Sequence, residues 1–177
     1  MATVNLGFNL EQLQGLIGAI EEKPERGETV WEARTEWKGG FKSEASIVSY
    51  GRQFTIPMDE PTILGGSDTA PNMVEVVLGA YGCCLTTGYV MNAARRGIEL
   101  EGVDIKLKGN LDLRGFLGLA QEVPPGYKHI EVEVTLKAPK AAPEQLQELH
   151  DLVLKTSPVG CILEQPLEVT THLTTQM

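Results

Sequence analysis

Nineteen consecutive residues, 76–94, carry no charged side chain. This length is close to the roughly 20 apolar residues that a helix needs to cross a bilayer. The stretch also contains three glycines, two threonines, an asparagine and two cysteines, which make it too polar for a membrane span. We therefore expect a long helix that is enclosed by its own domain or by a partner subunit, and no membrane association.

The ends of this helix are marked in the sequence. Residues 71–72, Pro-Asn, suit a first turn, where proline costs no hydrogen bond, and residues 95–97, Arg-Arg-Gly, place cations and a glycine stop at the carboxyl end. Inside the helix, Gly79, Gly82 and Gly88 each lose about 1 kcal/mol relative to alanine. These glycines predict that another helix or a ligand approaches closely.

The net charge excludes some classes of partner. The 177 residues contain 15 Lys and Arg against 24 Asp and Glu, and no block of basic residues. Such a chain would repel phosphate backbones and anionic lipids, so nucleic acid is not an expected partner. Three cysteines do not make a disulfide framework, and the amino terminus lacks the basic segment of a signal peptide. We expect a cytoplasmic protein with reduced thiols.

The chain is predicted to form an N-terminal helical extension with a linker, residues 1–27, and one main domain, residues 28–177. Asn9 can cap a helix over residues 9–20, whose apolar side chains fall on one stripe. We expect this helix to cover an exposed surface rather than to take part in catalysis.

The main domain alternates between extended and helical patterns. A glycine pair at 39–40 predicts a hairpin turn, because glycine reaches positive φ without penalty. In chain order the predicted elements are strands at 29–36, 41–49 and 53–56, the long helix, strands near 103–107 and 130–136, a helix over 143–156 and a strand near 167–173. This order, with antiparallel neighbours, predicts an α+β fold.

Most familiar site motifs are absent from the sequence. It has no phosphate-binding glycine loop followed by Lys-Ser or Lys-Thr, no dinucleotide fingerprint and no CxxC pair. His129, His150 and His172 have no metal-like spacing, so neither a metal nor a cofactor is expected. The loop Gly-Gly-Ser-Asp at residues 65–68 could hold an anion or merely turn the chain.

The remaining chemistry is that of a thiol on the long helix. Cys84 lies in mid-helix, whereas Cys83 is rotated by about 100° and faces different surroundings. A cysteine on an apolar helix is either a small hydrophobic residue packed in a core or a reactive thiol. The pattern leaves both interpretations open.

Three segments of the chain resemble the OsmC/Ohr superfamily. They are GGSDTAPNMVEVVLGAYGCCL at residues 65–85, AARRGIELEGV at residues 93–103 and Ser-Pro-Val at residues 157–159. The resemblance extends over residues 28–173 and leaves out the N-terminal helix. It implies an OsmC-like fold, in which antiparallel sheets wrap around a long central helix, and an intertwined homodimer with its sites at the subunit boundary.

The resemblance also implies an activity. Cys84 matches the thiol that attacks an organic hydroperoxide in catalytic members of the superfamily. The chain is then expected to be a thiol peroxidase that reduces small hydrophobic organic hydroperoxides in oxidative stress defence, with a dithiol such as a lipoyl group as reductant. A different function fits the same fold: a non-catalytic protein that binds an apolar small molecule at the dimer interface.

The resemblance implies charged partners for the thiol. Free cysteine, with a pKa near 8.5, is mostly protonated at neutral pH, so a cation must favour the thiolate. Members of the superfamily use an arginine from the first hairpin, held by a glutamate near the helix start. Arg34 is preferred to Arg52 as that arginine, and Glu75 matches the acid. Glu75 lies about 13–14 Å along an ideal helix from Cys84, so it acts from the partner subunit, across a broken helix, or only as an acid favoured by the helix dipole.

The sequence departs from the superfamily at the resolving position. Where peroxidatic members have Cys-Pro, this chain has Ser157-Pro158, which is typical of a helix N-cap followed by a first-turn proline. Serine cannot form a disulfide. Cys161, one helical turn later, is either a substitute for the resolving cysteine or a packed structural residue.

Overall fold

A computed structural model describes residues 3–176 of the chain. Its helices are α1 (Leu10–Glu22), α2 (Met73–Arg96), α3 (Leu113–Phe116), α4 (Pro143–Thr156) and α5 (Pro158–Glu164), and its strands are β1 (Ala33–Gly39), β2 (Lys42–Ser49), β3 (Arg52–Met58), β4 (Gly102–Leu111) and β5 (Tyr127–Lys137). The order is α1-β1-β2-β3-α2-β4-α3-β5-α4-α5, so the predicted α+β class is confirmed.

The strands form two antiparallel sheets. Strands β1, β2 and β3 pair in that order, with Ala45 of β2 opposite Thr35 and Ile56 of its neighbours. The turn between β1 and β2 uses Gly39 and Gly40, whose φ angles of 97° and 57° confirm the predicted glycine turn. Strands β4 and β5 form the second sheet and run in opposite directions, because the start of β4 lies beside the end of β5.

The long helix α2 begins and ends as the sequence predicts. The Asn72 side chain accepts a hydrogen bond from the backbone N–H of Glu75, and the Glu75 carboxylate accepts one from the N–H of Asn72, both at 2.9 Å. This reciprocal capping box satisfies two of the free donors of the first turn. Arg95 and Arg96 lie in the last turn, and Gly97 follows with a φ of 73°.

By length and composition alone, α2 could cross a membrane, although the core helix of a soluble protein meets the same criterion. Within the described chain, 22% of its most apolar 18-residue stretch is buried. Met73, Val77 and Cys83 are exposed. The enclosure predicted from the uncharged stretch is therefore only partly provided by one copy of the chain.

The chain divides into two compact units. One contains Ala80–Lys106 and the residues from Val132 onward, together with the first described residues up to Val4. We call it the helix unit. The other contains Asn5–Gly79 and Leu107–Glu131, and we call it the sheet unit.

The helix unit has an apolar core between α2 and α4, which we call the helix seam. Its buried side chains are Tyr81, Leu85, Tyr89 and Ala93 of α2 and Leu149 and Val153 of α4. A Cβ added to Gly88 would lie 2.9 Å from Cγ1 of Val153, so the predicted close approach of another helix is confirmed at Gly88. At Gly79, nothing in the described chain lies within 4 Å of an added Cβ.

Three details differ from the predictions. The prediction of a strand near residues 167–173 is wrong, since the described residues after α5 form neither helix nor strand. The side chains of Leu167, Val169 and Leu173 are exposed. A strand exists only by pairing, and this alternating segment pairs with no strand of the described chain. Strand β1 begins at Ala33 rather than at residue 29, and the short helix α3 was not predicted.

Candidate functional site

The thiol of Cys84 lies beside the helix seam and is half-buried. Its Sγ atom is 3.3 Å from Oγ of Ser157, which follows α4 directly. The side chain of Cys84 thus projects from α2 toward the junction between α4 and α5. The thiol is neither enclosed by hydrocarbon on all sides nor free in solvent.

Ser157 is fixed by its position as the N-cap of α5. Its Oγ accepts a hydrogen bond from the backbone N–H of Gly160 at 3.1 Å, and Pro158 occupies the first turn. The N-cap predicted from the Ser-Pro pair is therefore confirmed. Because 6% of Ser157 is exposed, its hydroxyl is held in place beside Cys84.

Gly160 and Tyr81 complete the surroundings of Ser157. A Cβ added to Gly160 would lie 3.2 Å from Oγ of Ser157 and 3.3 Å from Cε2 of Tyr81, so this position favours glycine. Burial raises the pKa of the Tyr81 phenol, and the nearby acidic groups of Glu164 and Cys84 raise it further. Sequence analysis missed the role of Gly160, whose signal is a glycine in the first turn of a helix.

Further along α2, Tyr89 forms a polar pair with His150 of α4. The Tyr89 hydroxyl is hydrogen-bonded to Nδ1 of His150, and the two rings stack with centroids 6.1 Å apart. Burial, with a smaller contribution from Tyr81, raises the pKa of Tyr89 to about 12. The phenol therefore stays protonated at neutral pH. Across residues 3–176, no three His, Cys, Asp or Glu side chains gather into a metal site.

The other two cysteines, Cys83 and Cys161, are exposed, and all three thiols are free. Cys161 lies on α5, one turn after Ser157. Within one copy of the described chain, Cys161 is exposed rather than packed in a core. Both interpretations of Cys161, as a resolving cysteine and as a packed structural residue, stay predictions.

Glu75 lies in the first turn of α2, within the sheet unit. Its carboxylate is part of the capping box with Asn72. It also lies near Tyr127, whose pKa is raised first by burial and then by Glu75. This arrangement fits the first-turn acid among the three predicted roles of Glu75. The role across a broken helix is wrong, because α2 is continuous from Met73 to Arg96, and the role from the partner subunit stays a prediction.

The two candidate arginines, Arg34 and Arg52, also belong to the sheet unit. The Arg34 side chain is 80% exposed and pairs with Glu36 at 3.0 Å. Arg52 donates from Nε to the carbonyl oxygen of Ser49 and lies over the ring of Phe54. Since Cys84 belongs to the helix unit, the activation of its thiol by either arginine stays a prediction.

The loop between β3 and α2 holds an anion, and that anion is the chain's own Asp59, which is 1% exposed. The donors to its carboxylate, at 2.8–3.4 Å, are the backbone N–H groups of Glu60, Ser67 and Thr69 and the hydroxyl of Thr69. Burial alone would raise the pKa of Asp59, but these hydrogen bonds, first those from Thr69, lower it below its usual value. Gly66 is required here, since a Cβ would lie 1.7 Å from the Glu60 carbonyl oxygen. Sequence analysis missed Asp59.

Comparison with known families gives a match. The family model described as OsmC-like protein matches residues 65–172. No curated protein matches the sequence significantly.

Several solved structures have a similar fold. An OsmC-like protein from Mycoplasma pneumoniae is 16% identical, with 77% of this chain and 89% of that chain covered and a TM-score of 0.63. An organic hydroperoxide resistance protein OsmC from Legionella pneumophila, described as a predicted redox protein and regulator of sulfide bond formation, is 15% identical, with coverages of 77% and 92% and a TM-score of 0.57. A Vibrio cholerae protein, described as an organic hydroperoxide resistance protein with captopril bound in one of its active sites, is 16% identical, with coverages of 77% and 87% and a TM-score of 0.53.

Proposed function

Because this chain belongs to the OsmC-like protein family, we propose that it is a cytoplasmic thiol peroxidase that reduces organic hydroperoxides through Cys84. Proteins of similar fold are named for resistance to organic hydroperoxides, which supports a general role in oxidative stress defence. The observation that carries the proposal is the half-buried thiol of Cys84 with the hydroxyl of Ser157 at 3.3 Å from its sulfur.

The proposed reaction begins with the thiolate of Cys84. Its sulfur attacks the terminal oxygen of a small hydrophobic hydroperoxide. An S–O bond forms as the O–O bond breaks, and the leaving alkoxide takes up a proton to become an alcohol. The thiol is thereby oxidised to a sulfenic acid while the hydroperoxide is reduced.

A positive charge near the sulfur would favour the thiolate. We assign this role first to Arg34 and second to Arg52, with Glu75 orienting the guanidinium. Arg34 is suited to this role because its ion pair with Glu36 is exposed and therefore weak. The guanidinium can leave Glu36 and pair with the thiolate instead.

A second copy of the chain is proposed to complete the site. One chain buries 22% of the most apolar stretch of α2, and a homodimer would cover more of that helix. In such a dimer, Glu75 acts at the Cys84 site from the partner subunit, as its distance from Cys84 along the continuous α2 requires, and the arginine acts from either subunit.

The sulfenic acid must then be reduced by thiols. We propose that Cys161, exposed on α5, attacks the Cys84 sulfur, releases hydroxide that is protonated to water, and forms a disulfide. An external dithiol, such as a lipoyl group, then reduces this disulfide and leaves as its own cyclic disulfide. Replacement of Cys161 by serine is expected to leave the Cys84 sulfenic acid unresolved until an external thiol attacks it.

The proposal is tested by treating the reduced full-length protein with micromolar cumene hydroperoxide, trapping with dimedone and mapping the adduct by mass spectrometry. We expect the adduct on Cys84. Cys83→Ser, which alters an exposed neighbour, should consume hydroperoxide as the wild type does, whereas Cys84→Ser should not. A Cys84 thiol that stays unmodified would overturn the proposal.

A second candidate function is the non-catalytic binding of an apolar small molecule at the dimer interface. It is favoured by Ser157, which occupies the place of the resolving cysteine. If the protein consumes cumene hydroperoxide and the consumption depends on Cys84, the peroxidase function is supported. If it consumes none but binds an apolar fluorescent probe equally well in Cys84→Ser, the binding function is supported.

A further inference from the structure

Two hydrogen-bonding partners meet at one oxygen atom in the junction between α4 and α5. Oγ of Ser157 accepts from the N–H of Gly160 at 3.1 Å and lies 3.3 Å from Sγ of Cys84. A serine hydroxyl has one hydrogen to donate and two lone pairs to accept with. Since a lone pair is engaged by Gly160, the hydroxyl hydrogen is available to the sulfur.

Ionisation of Cys84 fixes the direction of this contact. A thiolate has no hydrogen, so it can only accept, and Ser157 must then be the donor. A hydrogen bond to the charged form of a group favours that form. We propose that Ser157, beyond its role as an N-cap, is a positioning residue that favours the Cys84 thiolate and orients its sulfur. The catalytic purpose of this role rests on the proposed peroxidase function, but the role itself can be measured without any hydroperoxide.

Ser157 is well placed to act in this way, because 6% of the residue is exposed and its oxygen is held by Gly160. A fixed donor needs less reorganisation than water when charge appears on the sulfur. The Tyr81 ring also approaches Gly160 closely, since its Cε2 would lie 3.3 Å from an added Cβ. The hydrogen bond from the N–H of Gly160 holds the Ser157 oxygen beside Cys84.

Two further ionisable groups lie near the junction between α4 and α5. Tyr81 is one turn before Cys84 on α2, and Glu164 is near the end of α5. The pKa of the Tyr81 phenol is raised by burial and then by Glu164 and Cys84, so this phenol stays protonated and neutral at neutral pH.

The experiment measures the alkylation rate of Cys84 by iodoacetamide as a function of pH, with the labelled peptide resolved from those of the other cysteines by mass spectrometry. In Ser157→Ala we expect the midpoint of the pH profile to move to higher pH. At pH 7 the rate should fall roughly threefold to tenfold, because a tenfold change corresponds to one unit of pH. Circular dichroism checks that the variants fold.

Two further variants separate the donor from the cap. Ser157→Thr keeps both the cap oxygen and the hydroxyl donor, and we expect it to retain the wild-type profile. Ser157→Asp keeps a cap oxygen for the N–H of Gly160 but adds a negative charge, and we expect a larger shift than in Ser157→Ala. If Thr and Asp both behave as the wild type while Ala does not, Ser157 is only a cap and the inference is overturned. Identical profiles in all variants also overturn it.

Failure of this inference is distinguishable from failure of the proposed function. In one outcome, Cys84 resists cumene hydroperoxide while its alkylation profile shifts in Ser157→Ala and Ser157→Asp. That result would support the role of Ser157 and overturn the peroxidase function. Oxidation of Cys84, together with an alkylation profile that no Ser157 variant changes, would support the peroxidase function and overturn the role of Ser157.

Discussion

The helix seam and the loop around Asp59 fix two parts of the same family motif by different physical means. The seam is made of apolar side chains, with Leu85 and Leu149 both 0% exposed. The loop is built around one buried carboxylate, which the backbone of Glu60, Ser67 and Thr69 and the Thr69 hydroxyl satisfy. Hydrophobic burial is non-directional, whereas hydrogen bonds to a carboxylate specify the position of each donor.

This difference determines which polar groups remain free to bind or react with an external molecule. In the loop, the donors that a glycine-rich turn could offer to an external anion are directed at Asp59. Beside the seam, the thiol of Cys84 stays half-buried, with Ser157 as its hydrogen-bonding partner among the described residues. The glycine-rich loop at residues 65–68, whose sequence could bind an external anion, thus has a structural role. Cys84, whose apolar helix could place it in a core, keeps a thiol that is accessible for reaction.

The largest expected effect comes from breaking the seam with Leu149→Ala. Replacing a fully buried leucine by alanine lowers the free energy of unfolding by about 2–5 kcal/mol, because transfer and cavity terms add. Leu154→Ala, on the same helix but at a residue 41% exposed, is the matched control and should change it little. Urea unfolding at one fixed protein concentration measures both. Equal losses would contradict the assignment of the seam as the core.

A smaller loss of stability is expected when the loop is broken with Asp59→Asn. The amide keeps one acceptor, but its NH₂ group faces donors from Thr69 in place of a carboxylate oxygen. The urea midpoint should fall, and hydrogen exchange of the Ser67 and Thr69 amides should speed up. Asp68→Asn is the control, since Asp68 is exposed and has a φ of 54°, which asparagine tolerates. The same effect in both variants would show that the carboxylate does not organise the loop.

Acid should weaken the loop gradually and leave the seam unaffected. The pKa of Asp59 is lower in the folded chain than its unfolded value of about 3.9, so its stabilisation is present above that pH and is lost as the pH falls through the folded pKa. The stability difference between wild type and Asp59→Asn should therefore narrow below about pH 4. The difference between wild type and Leu149→Ala should stay constant, because no carboxylate is removed. Denaturation series between pH 7 and 3 test this contrast.

The parts of the fold that the sequence predicts are those set by local chemistry. Helix α4 spans Pro143–Thr156 as predicted, and α2 ends before Gly97, because prolines, caps and glycine stops act within one turn. Local sequence could not decide whether residues 167–173 form a strand. The alternation of apolar and polar residues is visible in the sequence, but a strand also needs a partner strand, which the local sequence does not show.

In the candidate site, too, local features could be predicted from the sequence, whereas contacts between distant residues could not. The N-cap role of Ser157 followed from the Ser-Pro pair, whereas its contact with Cys84 joins residues 73 positions apart. Asp59 was missed because its carboxylate reaches donors eight and ten residues later, across a loop whose path depends on Gly66. Arg34 and Glu75 are assigned through the family resemblance, and their action on the thiol stays a prediction.

The smallest expected effect on stability comes from Glu75, which belongs to α2 but sits at its polar end. Glu75→Gln keeps an oxygen that accepts from the N–H of Asn72, so stability should be almost unchanged, whereas Glu75→Ala opens the capping box and should lose about 0.5–1 kcal/mol. The Tyr127 phenol should ionise at lower pH in both variants, because Glu75 contributes to the raised pKa of Tyr127. If Glu75 also orients the activating arginine, cumene hydroperoxide reduction should fall by about tenfold in both variants, since a carboxamide carries no charge to hold a guanidinium. Full activity in Glu75→Gln, with the expected change at Tyr127, would restrict Glu75 to the helix end and leave activation of Cys84 to Ser157 and an arginine held by other means.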